Sequence, residues 1–472
     1  MRNVPRSPRF TNGGVSFWWH AIGRPAPGDP LPGPRDYDVC VVGGGYTGLW
    51  TAYYLKRADP SLRIAVLERE FAGFGASGRN GGWLYSGFSG LWRRYAGGRA
   101  RHGMVALHRA MIATVDEVIG TAAEEGIDAD VHRGGVLRVA TSPAQRARLA
   151  EHHRELRRWG YGPDDIRMLD RDEREARVQV AGALAASLVP RGARIQPAKL
   201  AAGLTRTVRR LGVEVFESTP VTEIRPASGG TRATAVTPYG DVRADLVIRA
   251  TEGFTAGLPG DHLRYLPMNS SMIVTEPLGP EAWRHIGWEG AELIGDEAHA
   301  YVYAQRTADG RIAIGGRGVP YRFGSRTDRR GGTRPQAVAA LWRQLTRLFP
   351  AAADTPVEHT WSGVIGVPRD WCPSVHVDHA SGLGWAGGYA GSGVATTNLA
   401  GRTLRDLVLR RDTELAALPW VGHQGRDWEP EPLRWLGVQV VHGLYRAADR
   451  RENEIVSRTS RYARLASLVA GR

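Results

Sequence analysis

The run Val41-Val42-Gly43-Gly44-Gly45-Tyr46-Thr47-Gly48 places a GxGxxG spacing directly after an apolar segment and at the start of a helical one. Each glycine has a separate physical task. Gly43 permits a tight turn, Gly45 lets a diphosphate approach the backbone, and Gly48 lets helix and strand pack closely. Unpaired N–H groups of Tyr46 and Thr47 and the positive end of the helix dipole then favour an anion. Glu68, which ends a second apolar run twenty residues after Gly48, can accept hydrogen bonds from an adenosine ribose, with Arg69 beside it. Strand, turn, helix and terminal acid together indicate a dinucleotide site.

Two further glycine clusters identify the kind of dinucleotide. In Gly73-Phe74-Gly75-Ala76-Ser77-Gly78-Arg79-Asn80-Gly81-Gly82-Trp83, five of the eleven residues are glycine. A nicotinamide enzyme has no use for a second such loop here. A flavin enzyme does, because the chain must pass close to the ribityl chain and the ring while offering backbone N–H groups. The third cluster, Gly384-Trp385-Ala386-Gly387-Gly388-Tyr389-Ala390-Gly391-Ser392-Gly393-Val394, ends a strand and opens a helix over Ala395 to Leu409. That helix terminus can face the ring edge where negative charge accumulates on reduction, an effect worth roughly 0.3–2 kcal/mol.

These pieces resemble the D-amino-acid-oxidase-like family of FAD-dependent oxidoreductases, which includes glycine and sarcosine oxidases. The Gly75 to Gly82 run is most similar to the gamma-glutamylputrescine oxidoreductase type. Val221 after a strand, and the approach Asp245-Leu-Val-Ile-Arg-Ala250-Thr251, match the family's adenine- and diphosphate-facing segments. The resemblance spans about residues 37 to 412. It implies an α/β fold: an FAD-binding Rossmann-like domain of the glutathione-reductase type, with an inserted antiparallel-sheet α+β substrate domain. It also implies cofactor contacts from Gly43, Gly45, Tyr46, Thr47, Gly48, Glu68, Arg69, Gly75, Ala76, Ser77, Arg79, Asn80, Gly81, Gly82, Val221, Ala250, Thr251, Gly391, Ser392, Gly393 and Val394. Cys372 lies beyond the place where sarcosine oxidases attach their flavin, so FAD is expected to be non-covalent. Where those enzymes carry lysines, this chain has Ala395 and, approximately, Ala313.

The activity implied is oxidation of a C–N bond in an amine or amino acid. Hydride passes to the flavin, water hydrolyses the imine, and O₂ (with H₂O₂ formed) or another carrier accepts the electrons. A related FAD domain that demodifies a tRNA base, and a flavin-dependent dehydrogenase subunit using another acceptor, are the alternatives. The strand Tyr301 to Gln305 precedes an Asp309-Gly310 turn and presents Tyr301 and Tyr303 on one face. With Trp83 they are expected to line the substrate pocket, and Arg306 to hold a carboxylate through its planar fork. No nucleophilic triad is required. His299, His359, His376 and His379 are available as bases, and no metal-ligand spacing occurs.

The elements that must position these groups are legible in outline. Strand Tyr37 to Val42, helix Tyr46 to Arg57 and strand Ile64 to Glu68 form a β-α-β start. Helical periodicity recurs over Val105 to Glu125, Pro143 to Trp159, Ala198 to Leu211 and Pro335 to Leu348. The expected division is an N-terminal extension (1–36) and a discontinuous FAD domain (37–100, 190–263 and 351–415). A substrate domain (101–189 and 264–350) and a C-terminal helical extension (416–472) complete it. The Gly-containing loop from Phe323 to Arg334 reads as mobile.

Composition bounds the rest. The 472 residues carry 62 Lys+Arg against 48 Asp+Glu, a net +14, with 42% hydrophobic residues. Only Lys56 and Lys199 are lysines, and the arginines are scattered without a block of like charge, so nucleic acid is not the expected partner. Two cysteines, Cys40 and Cys372, exclude a disulfide framework. No apolar run is long enough to span a bilayer, and no secretory signal is evident, so the cytoplasm is the expected location.

Overall fold

Strands covered on both faces read as continuous apolar runs, and a parallel sheet requires such strands. In the computed structural model, which describes residues 4–90, 92–95, 100–316, 321–454 and 459–471, Arg35–Val42 pairs in parallel with Ile64–Leu67 on one side and Val242–Arg249 on the other. Glu214–Phe216 and Leu383–Gly387 extend this sheet in the same sense. Helices Tyr46–Ala58, Pro197–Arg210 and Gly393–Val408 pack on it through Leu49, Trp50, Leu204 and Leu399, all buried. Gly401 stacks directly on the backbone of Trp50, where a Cβ would sit 2.8 Å from the Trp50 carbonyl carbon.

Among the described residues the second sheet has nine strands. Its order is Arg6–Asn12, Val357–Val367, Leu266–Thr275, Ile312–Gly316, Val302–Arg306, Leu293–Asp296, Val136–Ala140, Ala185–Val189 and Arg167–Leu169. One face buries Ile273, Val302 and Ile314 against Val338, Leu341 and Leu345 of helix Pro335–Leu348. The other meets the parallel domain, where Met272, Val274, Ala313 and Trp361 join the principal core. Helix Pro143–Arg158 packs on the Val136–Ala140 end, whereas helix Ala100–Glu124 lies against helix Gly393–Val408. A two-stranded ribbon, Trp83–Tyr85 with Gly192–Arg194, links the two bodies.

Several boundaries differ from the sequence reading. The N-terminal segment is not an appendage: Arg6–Asn12 is an edge strand of the large sheet, paired in parallel with Val357–Val367. Helix Phe17–Ile22 buries Phe17, Trp18 and Trp19. Its indoles are the reason the segment docks, since Trp18 Nε1 donates to Asn80 O at 2.7 Å and Trp19 Nε1 to Gly73 O at 3.3 Å. The 351–415 block is divided, because the eleven-residue strand Val357–Val367 belongs to the large sheet and only the chain from Ser374 onward joins the parallel one.

The 323–334 loop, expected to be mobile, is attached to the body at several points. Ser362 N–H donates to Gly331 O at 2.7 Å, Arg79 to Arg329 O at 3.0 Å, and Arg329 pairs with Glu70 at 3.4 Å. Among the described residues the C-terminal extension contains two helices, Leu433–Glu454 and Arg461–Ala470. The first is fastened to the large sheet's rim by Arg148 on Glu452 at 2.5 Å and by Asp449, which accepts the N–H groups of His299 and Ala300.

Candidate active site

The glycine turn follows strand Arg35–Val42 and takes the shape its residues dictate. Gly43 has φ +111°, and a Cβ there would lie 2.7 Å from Ala250 O. At Gly48 a Cβ would fall 2.0 Å from Gly43 O, so helix and turn touch in a way no other residue allows. Helix Tyr46–Ala58 begins without an N-cap side chain of its own, and Ser77 Oγ instead accepts the Tyr46 N–H at 2.8 Å. Glu68 accepts the N–H groups of Gly44 (2.8 Å) and Glu70 (3.0 Å), while burial pushes its carboxyl up to about 7.

These residues wall a cavity of about 220 Å³. Gly43, Gly45, Tyr46, Thr47, Glu68 and Arg69 form one end; Val221, Ala250 and Thr251 form a side; Gly75, Ala76, Ser77 and Asn80 form another. Gly391, Gly393 and Val394 close it at the start of helix Gly393–Val408, whose N-cap Ser392 makes no side-chain cap bond. The cavity thus meets two helix N-termini, one at the first glycine turn and one at the last. An anionic diphosphate at one and an electron-accepting ring edge at the other fit that pair. Glu68, an acceptor of the kind a ribose hydroxyl needs, stands beside the first, so the residues present fit FAD.

A second cavity of about 310 Å³ shares Ala76, Asn80, Ile365, Gly391 and Val394 with the first. Trp83, Tyr301 and Tyr303 line it, as do Gly81 and Ser392. The Tyr303 ring lies against Gly81 and Gly315, where Cβ atoms would come within 2.6 Å and 2.4 Å of it, and its hydroxyl meets Ser270 Oγ at 2.8 Å. Tyr85 and Ser89 reach Ser392 Oγ at 3.3 and 3.2 Å.

Some expected roles change. Arg306 is outside both cavities. Along strand Val302–Arg306 side chains alternate, so Tyr303 faces the cavity and Arg306 the opposite side. There its guanidinium stacks on Trp283 at 4.1 Å and donates to Trp288 O at 2.6 Å. Arg79 lines the second cavity, but it donates to the carbonyls of Phe74, Ser362 and Arg329, which makes it a brace between loops. Gly48 and Gly82 shape the walls from behind; a Cβ on Gly82 would strike Gln305 at 2.1 Å. None of His299, His359, His376 and His379 lines either cavity. Cys40 and Cys372 are buried elsewhere.

Other groups at the site went unanticipated. His108 and His152 line the second cavity, and burial lowers them to about 3 and about 4, with the Arg138 charge adding to the effect at His152. Arg138 is a wall residue, and its signal was present: a lone charge in the middle of the apolar strand Val136-Leu-Arg-Val-Ala140 is rare unless it serves a site. Glu252 lines the cofactor cavity, where its carboxylate receives the Tyr389 N–H at 2.9 Å and that of Gly366, and burial raises it to about 7. Nothing in its spacing marks it.

Comparison with known proteins agrees with this geometry. The chain is 31% identical over 408 residues to the gamma-glutamylputrescine oxidoreductase of Escherichia coli (strain K12), covering 84% of this chain and 89% of that one. It is 23% identical over 386 residues to the glycine oxidase of Bacillus subtilis (strain 168), covering 80% and 94%. Among solved structures, glycine oxidase from Geobacillus kaustophilus superposes with a TM-score of 0.68 at 22% identity, covering 83% of this chain and all of that one. L-proline dehydrogenase from P. horikoshii does so at 0.66 and 18%, covering 81% and 96%. The family model described as FAD dependent oxidoreductase (DAO) matches residues 38–407, and the chain belongs to that family.

Proposed function

We propose that the protein oxidises a C–N bond of an amine or amino acid held in the Trp83–Tyr303 cavity, in the cytoplasm. The shared wall of Ala76, Asn80, Ile365, Gly391 and Val394 carries this reading, because it brings a second, aromatic-lined cavity against the ring end of the cofactor cavity. When bound, FAD supplies a two-electron acceptor for the carbon next to nitrogen.

The chain's own residues prepare the amine. The described lining of the second cavity includes two arginines and no Asp or Glu. An ammonium group entering there meets cations and loses hydration without gaining a counter-ion, so the neutral amine, whose lone pair the reaction needs, is the favoured form. His108 and His152 are neutral near pH 7 and add no positive charge. Trp83, Tyr301 and Tyr303 exclude water and fix the substrate, with Tyr303 held by Ser270. The free state of both cysteines is in keeping with a reducing compartment.

The test is anaerobic mixing of the yellow holoprotein with a panel of amines and amino acids. Bleaching of the flavin absorbance without NADH is the expected result, and a panel that leaves the spectrum untouched overturns the reading. Admission of air then identifies the acceptor: rapid return of colour with H₂O₂ marks an oxidase, slow return a dehydrogenase.

A further inference from the structure

A single row of registered partners crosses the large sheet. Met272 lies opposite Gly315, Gly315 opposite Tyr303, Tyr303 opposite Gly295, and Gly295 opposite Arg138. Partners in register share a face, so Arg138 shares the cavity-facing side with Tyr303. Every member of that row except Gly315 lines the second cavity. Two of the five are glycines, and the room they leave is taken by aromatic rings, Tyr303 over Gly315 and Trp83 over Gly295, which pave the row between its ends. At Gly295 the indole of Trp83 comes within 3.1 Å of where a Cβ would be.

The two ends differ in chemistry. At the Leu266–Thr275 and Val357–Val367 end, Met268, Ser270 and Ile365 lie next to the wall shared with the cofactor cavity. At the other end Arg138 is grouped with Val136, Val189, His108, His152 and Tyr161. Four strand spacings separate Leu266–Thr275 from Val136–Ala140 in the sheet order, roughly 19 Å at about 4.8 Å each.

Arg138 is only partly committed. Among the described residues its one hydrogen bond runs from Nη1 to Glu297 at 3.3 Å, and Glu297 does not line the cavity. The ionisable groups around it are Glu297, Tyr85, Tyr301 and His152. Of these only Glu297 is an acid, and one long ion pair leaves the rest of the guanidinium fork available. A planar fork with vacant donors on the wall of a cavity without Asp or Glu among its described lining suits a carboxylate.

We infer that Arg138 anchors a carboxylate at the far end of the substrate, so that the preferred substrate is an amine whose carboxylate lies many bonds from the reacting carbon. The inference rests on the function proposed above. An α-amino acid, with amine and carboxylate on one carbon, is too short to reach both ends of the row.

The experiment compares anaerobic flavin reduction by ε-aminocaproate, n-hexylamine and glycine, and separately titrates the unreactive dicarboxylate adipate against the visible spectrum of the holoprotein. Apparent dissociation constants for ε-aminocaproate are expected to be about tenfold or more below those for n-hexylamine, the range of a charge-assisted bond. Arg138→Met should collapse that ratio toward one and abolish the adipate perturbation, with Arg138→Lys intermediate. A ratio that survives in Arg138→Met, or a wild-type preference for glycine, overturns the assignment. If no amine bleaches the flavin, the proposed function fails, yet loss of adipate binding in Arg138→Met at unchanged FAD content still supports the carboxylate site. Equal adipate binding in both proteins refutes it.

Discussion

The hydroxyls of Thr47 and Tyr389 meet at 3.0 Å, joining the first glycine turn to the last across 342 residues of sequence. Both residues line the cofactor cavity, and Tyr389 is buried deeply enough that its phenol stays protonated far above neutral pH. Tyr389→Phe keeps the ring and removes the link. Loss of a buried hydrogen bond that strands the Thr47 hydroxyl costs about 1–3 kcal/mol. The variant is expected to release FAD faster on dilution and to melt at a lower temperature, measured by flavin fluorescence during a thermal ramp.

Glu68 is expected to make cofactor binding depend on pH. Burial holds its carboxyl near 7 against an ordinary 4.5. The sign follows directly: ionised Glu68 is penalised in the folded apoprotein, so its contribution to stability is greatest below 4.5 and declines as pH rises through 7. A ribose that donates hydrogen bonds to the carboxylate stabilises the ionised form. FAD affinity is therefore expected to rise with pH up to about 7, by at most about tenfold per unit, and then level off. Fluorescence titration of the apoprotein between pH 5.5 and 8.5 (the window about the shifted value) measures this, and Glu68→Gln should lower its slope to what Glu252, the other carboxyl of this cavity raised to about 7, contributes.

The cofactor side was legible because its requirements are local. A tight turn, a close approach and a helix start must be coded within a few residues, and Gly43, Gly45, Gly48 and Glu68 sit as their spacing implied. The substrate side depends on pairing between distant strands. Alternation within one strand puts Tyr301 and Tyr303 on one face, lining the second cavity, and the same alternation turns Arg306 to the other face. Arg138 faces the cavity only through Gly295 and Tyr303, a relationship fixed by sheet register. The N-terminal aromatics were visible as a cluster, but their docking on Gly73 and Asn80 is a tertiary fact.

Gly81 sets the position of Tyr303. A Cβ at Gly81 would lie 2.6 Å from Tyr303 Cε2, so Gly81→Ala must displace the ring and strain its 2.8 Å contact with Ser270. This loop lines the cofactor cavity through Gly75, Ala76, Ser77 and Asn80, and Gly81 is not part of that lining. The variant is expected to retain FAD but to reduce it more slowly with substrate, by a factor on the order of ten to a hundred, as misplacement of about 1 Å does. Stopped-flow reduction at saturating amine, with the flavin-to-protein ratio as a check, measures it.

Arg306 separates a structural arginine from a substrate-binding one. Its guanidinium bonds Trp288 O at 2.6 Å, stacks on Trp283 and pairs with Glu289 at 3.2 Å, all on the face away from the cavity. Arg306→Met removes the stacking and leaves the Trp288 carbonyl without this donor, at a cost of about 1–2 kcal/mol. The exposed Glu289 partner adds little. The expected result is a lower melting temperature, with the ε-aminocaproate to n-hexylamine ratio kept at its wild-type value. Should that ratio collapse in Arg306→Met while Arg138→Met preserves it, the carboxylate anchor lies on the other face and the register argument is wrong.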